Sequence, residues 1–186
     1  DGIQLSGVNE LTIGGDLDLA GNLSAADIDI QGNVSLLGDA GLVAYENAAA
    51  GPVQIAGTVD GGHNLSVNGT TSFGGEVGGE TPLSGLDVTG RADLFGNVTV
   101  SGSQAYQDNV TVYADVTLSG DHVLFDANKQ IDGPEGNSLT LNGSNLVLIG
   151  NVSGISTLST SGKVLSLGGT VQTTGNQTFA ATENVT

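Results

Sequence analysis

Apolar and polar residues alternate in short runs along the whole chain, and each run closes on Gly or Asn-Gly. Examples are DLDLAG (16–21), DIDIQG (27–32), NVSLLG (33–38), PVQIAG (52–57), NLSVNG (64–69), NVTVSG (97–102), LTLNG (139–143) and NLVLIG (145–150). A period of two over four to six residues, rich in Val, Leu, Ile and Thr, specifies a strand with one buried and one solvated face. Val98, Val100, Val110, Val112, Leu139, Leu141, Leu146 and Leu148 fall on the buried phase. Glycines at the run ends, Gly143 among them, are candidates for the positive φ that tight corners demand. No helical period interrupts the pattern.

Many short strands about 6–12 residues apart fit either an antiparallel sandwich or a solenoid with about three strands per coil. A long internal repeat favours the solenoid. Residues 59–106 are rewritten as 131–179: Asp60-Gly61 becomes Asp132-Gly133, LSVNG at 65–69 becomes LTLNG at 139–143, and Gly102, Gln104 and Tyr106 become Gly175, Gln177 and Phe179. The offset is about 73 residues, and self-similarity of this kind in strand-rich text marks a stacked architecture. The expected fold is all-β, a right-handed parallel β-helix with about three short strands per coil. At about 20 residues per coil it makes about nine coils, a rod of roughly 40–45 Å. The chain then divides into divergent coils over 1–58, one repeat copy over 59–130 and an incomplete copy over 131–186, all one segment of a longer repeat protein.

Composition narrows the function classes. Glycine contributes 31 of 186 residues and aromatics only 4%, so the core must be narrow and aliphatic. The net charge of −17 rests on three cations, Arg91, Lys129 and Lys163, which leaves no basic patch. Such a surface repels phosphates and anionic lipid heads, so neither nucleic acid nor membrane insertion is expected. The chain has no Cys, which removes disulfides, zinc knuckles and thiol nucleophiles.

The string GSQAYQDNVTVYADVTLSGDHVLFDANKQIDG, followed by NSLTLNG and later by TVQTTGNQTF, resembles the repeat text of very large bacterial surface adhesins of the filamentous-haemagglutinin-like type. The resemblance covers about residues 57–186 well and 1–56 loosely. It implies a right-handed parallel β-helical shaft, exported to the cell surface, that spaces a binding tip from the bacterium. The partners implied are neighbouring repeats of the same polypeptide, with a host or cell-surface receptor bound outside this segment. Two other readings stand beside the spacer: a fibre or sheath subunit that associates end to end, and a β-helical polysaccharide-binding or polysaccharide-degrading module.

Candidate chemistry is sparse. Asn-x-Ser/Thr sequons occur at Asn22, Asn33, Asn64, Asn68, Asn97, Asn109, Asn142, Asn151, Asn176 and Asn184. They are acceptor motifs for glycosylation, and some adhesins of the resembled type are glycosylated at such sites. A corner Asn followed by an inward Val or Leu and an outward Ser or Thr writes the same motif from strand alternation alone. Asp16 with Asp18, and Asp27 with Asp29, each put two carboxylates on the outward face of one strand, enough oxygens to hold a calcium ion between neighbouring coils, although no recognised calcium loop is present and a solvated acidic face is the expected role. His63 and His122 sit in turn-like text, GGEVGG at 74–79 reads as a coil corner, and Tyr106 with Phe179 read as inward aromatics. No residue is expected to be catalytic, and no cofactor is expected.

Overall fold

A computed structural model describes residues 8–46, 49–148 and 150–185. Among these residues there is no helix, and the chain winds into a parallel β-helix with three faces per coil. The first face is a nine-stranded sheet holding one strand from each coil: Glu10–Ile13, Asp27–Ile30, Pro52–Ile55, Thr70–Phe73, Ala92–Leu94, Val110–Val112, Gln130–Asp132, Asn151–Ile155 and Val171–Thr173. Their starts are 17 to 25 residues apart. The spread lies mostly near the beginning, where coils of 17 and 25 residues precede coils of 18 to 22. This variation in coil length accounts for the poor match of residues 1–58 to the repeat.

The second sheet supplies the other two faces. In Leu139–Leu148 burial alternates through Leu139 and Leu141, lapses from Asn142 to Asn145, and resumes at Leu146 and Leu148. That lapse is a corner. Elsewhere the same corner divides the strand, as between Val98–Thr99 and Ser103–Tyr106, or between Val116–Ser119 and His122–Phe125. Among the described residues all strand pairs are parallel except one short antiparallel excursion, Tyr45 with Ala50 and Glu46 with Ala49, in the 25-residue coil.

Register aligns like with like. On the first face one inward row runs Leu11, Ile28, Val53, Thr71, Ala92, Val110, Ile131, Val152 and Val171. All eight aliphatic residues assigned above to the buried phase are in the core. Each fully buried Val, Leu or Ile contributes about 1.5–3 kcal/mol of transfer free energy, and each touches the coil above and the coil below.

Positive φ occurs as anticipated at Gly21 and Gly69, which close the runs DLDLAG and NLSVNG, but other corners obey a different rule. Gly143 has no positive φ; a Cβ there would strike the carbonyl oxygen of Gly120 in the preceding coil, and one on Gly162 would strike that of Gly143. A second spine runs through Gly32, Gly57, Gly75 and Gly96, where each Cβ from Gly57 onward would lie 2.5–2.8 Å from the backbone oxygen of the glycine one coil earlier. Real Cβ atoms do not approach that closely, so these positions are glycine because stacked backbones meet there.

The two sequence copies do not occupy equivalent faces. Asp60 and the strand at 64–68 lie on the second and third faces, whereas Asp132 and the strand at 139–142 lie on the first and second. Tyr106 belongs to the third-face row Val88–Tyr106–Phe125, but Phe179 lies in the second-face row Leu118–Leu141–Thr160–Phe179. Every aligned pair is displaced by four coils less one face. The repeat unit is therefore eleven faces, three and two-thirds coils, which at about 20 residues per coil gives the offset of about 73 residues.

Candidate functional site

The residues singled out in the sequence are dispersed. Asp16 and Asp18 lie at the start of the second face of the first coil, while Asp27 and Asp29 are on the first face of the next, so the two pairs stand apart. Asp16 Oδ1 instead accepts the Asn33 backbone N–H at 2.8 Å, and Gln31 Nε2 donates to Asp29 at 3.1 Å. Among the described residues no three His, Cys, Asp or Glu side chains gather as a metal site. His63 Nδ1 lies 3.9 Å from Asp39, and His122 Nε2 lies 3.3 Å from Asp121. Val77, in GGEVGG, is buried between Val59 and Val98 on the second face, and Gly74 and Gly75 crowd the coil before them.

Corner asparagines tie coil to coil. Oδ1 of Asn33, Asn97, Asn109 and Asn151 accepts the backbone N–H of Thr58, Thr117, Gln130 and Thr170, at 2.8–2.9 Å. The side chain stands in for a ladder carbonyl where the strand has ended, which satisfies a donor that the corner would orphan. The amide nitrogens of Asn64, Asn68 and Asn97 donate to Asp39, Tyr45 and Glu76. Asn22 is exposed opposite Gly41, Asn142 is half-buried opposite Ser161, and Asn176 is exposed at a corner. Asn184 pairs with Val164, and its side chain lies outside the described part of the structure.

The G-x-Q-x-Y motif is an internal lock. Gln104 is fully buried; its Nε2 donates to the Ser119 carbonyl at 3.0 Å, and its Oε1 accepts the Tyr106 hydroxyl at 2.9 Å. Tyr106 stacks on Phe125 of the next coil, with ring centroids 5.2 Å apart. Burial pushes the Tyr106 phenol far above its ordinary pKa. In the second copy Gln177 is exposed and donates to Thr173 and to the Val171 carbonyl, and Phe179 offers no hydroxyl.

Outer hollows with the shape of binding sites among the described residues include one on the third face and another on the first. A shallow groove of about 620 Å³ crosses the third face, floored by Gly41, Ser66, Asp87 and Ala105 and edged by Asp39 and Asn64. The other lies along the first face. Phe95 and Tyr113 follow the last inward residue of successive first-face strands, so coil register stacks the exposed Phe95 ring on the half-buried Tyr113 ring, with centroids 4.8 Å apart and planes within 11°. Arg91 anchors the pair: its guanidinium binds Asp93 at 2.8 Å and donates to the Tyr113 hydroxyl at 3.3 Å. These partners, Asp93 foremost, hold the Arg91 cation above its already high ordinary pKa. Lys129 is likewise paired, with Asp108 at 3.0 Å, and this bond lowers the Asp108 carboxyl below its ordinary value.

Sequence reasoning passed over Phe95 and Tyr113. The signal was present: in ADLFG and VTVYA both aromatics fall on the outward phase, 18 residues apart, close to one coil. Comparison of the chain with family models, with curated proteins and with solved structures gives no match.

Proposed function

We propose that this chain is a rigid spacer, a shaft segment of a large bacterial surface adhesin that holds a binding region away from the cell. The observation that carries this reading is the parallel pairing of the first face through nine strands, with a register shift between the last two, backed by an inward row that is aliphatic in every coil but the one holding Thr71. Bending such a rod requires stretching hydrogen bonds along a whole face at once, so the stack transmits length and orientation. Placement at the cell surface follows from the resemblance of 57–186 to filamentous-haemagglutinin-like repeats, together with an acidic surface suited to a solvated, unassociated shaft.

The test uses the parent protein on its cell. Variants lacking or duplicating whole coils are imaged for shaft length and assayed for adhesion to the same surface. The expected result is that reach changes in proportion to coil number while receptor specificity is retained. Loss of specificity on removal of coils, with the rest of the shaft still folded, assigns recognition to these residues and removes the spacer reading. Rod length that grows with protein concentration would support a fibre subunit instead.

A further inference from the structure

We propose that the first face carries a binding notch for a neutral oligosaccharide, with the ring of Phe95 as its stacking wall. One face of that ring is covered by Tyr113 from the following coil. The other looks back along the rod, where the equivalent positions of the two preceding coils are Ala56 and Gly74. A large aromatic after two minimal side chains leaves a step in the outer surface. The step is a notch of about 300 Å³ lined by Phe95, Ala56, Gly74, Ser72, Gln54 and Asp29.

The lining matches the two kinds of surface on a pyranose ring. Its C–H face packs on an aromatic plane, and its hydroxyls need donors and acceptors at the edge of that plane. Phe95 is 45% exposed, a large apolar area for a chain with so few aromatics. The side chains of Gln54 and Ser72, on consecutive coils of the same outer row, make no hydrogen bond to the described residues, and Asp29 continues the row one coil earlier. Rigidity adds to the fit. Phe95 is held from behind by Tyr113, itself fixed through Arg91 to Asp93, so little side-chain freedom is lost on binding. The acidic surface and Asp29 in the notch select against sulfated or carboxylated sugars, which makes the ligand neutral. The site is separate from the spacer reading and does not depend on it: a shaft with no notch is still a shaft.

The experiment is solution NMR on the 186-residue chain with cellohexaose, maltohexaose and N-acetylchitohexaose, and with a heparin-derived hexasaccharide as the anionic probe. At least one neutral probe is expected to receive saturation transfer and to shift the amides of Ala56, Ser72, Gly74 and Phe95. Phe95→Ala should weaken that binding at least tenfold. Ala56→Leu fills the notch from an exposed position without touching the stack and should do the same, with both variants unfolding at the parent temperature to within a few degrees. The proposal is overturned if none of the three neutral probes binds at millimolar concentration, if binding survives both substitutions, or if the heparin fragment occupies the notch more tightly than the neutral sugars.

Discussion

Gln104 and Tyr106 illustrate how much a residue's meaning here depends on the coil beside it. In sequence they are part of a motif; in the fold they are a buried donor–acceptor chain ending on the Ser119 carbonyl. Gln104→Leu keeps the volume but leaves the Tyr106 hydroxyl without its acceptor, and Tyr106→Phe leaves Gln104 Oε1 without its donor. Each should cost about 1–3 kcal/mol in denaturant unfolding, and the double variant should cost less than the sum. The raised pKa of Tyr106 has its own sign. Its contribution to stability is complete below the ordinary phenol pKa of about 10 and is lost as pH rises above that. Alkaline unfolding should therefore coincide with ionisation of this tyrosine, read by absorbance, and Tyr106→Phe should remove that component. Thr160 is the opposite case. It occupies an inward position between Leu141 and Phe179, and its buried hydroxyl has no partner among the described residues. Thr160→Val should stabilise the chain by about 1–3 kcal/mol in the same assay; a loss of stability would mean that the hydroxyl is satisfied.

At the scale of the element, a strand's identity is legible in the sequence but the reason for its ends is not. Alternation is a local property, which is why the inward assignments of Val98 through Leu148 hold and why Leu141→Ala should cost about 2–5 kcal/mol while Thr140→Ala, on the outer side, costs much less. The corners depend on what lies one coil away. Gly143 was expected to be glycine for its φ and is glycine because Gly120 lies against it. The contrast with Gly62, whose added Cβ would meet nothing within 4 Å, gives a clean comparison. Gly162→Ala, against the Gly143 carbonyl, should lower the unfolding midpoint clearly, whereas Gly62→Ala should be neutral or slightly stabilising through the unfolded chain. Equal effects at both sites would show that backbone entropy, not crowding between coils, sets the glycine requirement. Phe95 and Tyr113 were missed for a related reason: their outward phase is local information, but their stacking appears only once coil length puts residue 95 beside residue 113.

For the whole molecule, the duplication and the coil are two incommensurate periods. The sequence copy is eleven faces long and the solenoid closes every three, so a segment of one face has served, after duplication, on the face before it. That is possible because all three faces ask for the same thing, an inward aliphatic alternating with an outward polar residue, and nothing in the pattern names a face. It also decides where the rod can be cut. Removing residues 70–129 joins Gly69 to Gln130, takes out three whole coils, and returns each remaining strand to its own face, because Thr70 and Gln130 are equivalent in first-face register. Removing one sequence repeat, 59–130, sets Ile131 and Asp132, first-face residues, where the second-face pair Val59 and Asp60 stood, and every later strand must move one face or bulge a corner to recover. The coil deletion should give a cooperative rod shorter by roughly 14 Å at about 4.8 Å per coil, measured by small-angle scattering. The repeat deletion should melt at lower temperature and over a broader range. If the two unfold alike, the faces are interchangeable, and the glycine spines and asparagine ties at the corners do not fix which face follows which.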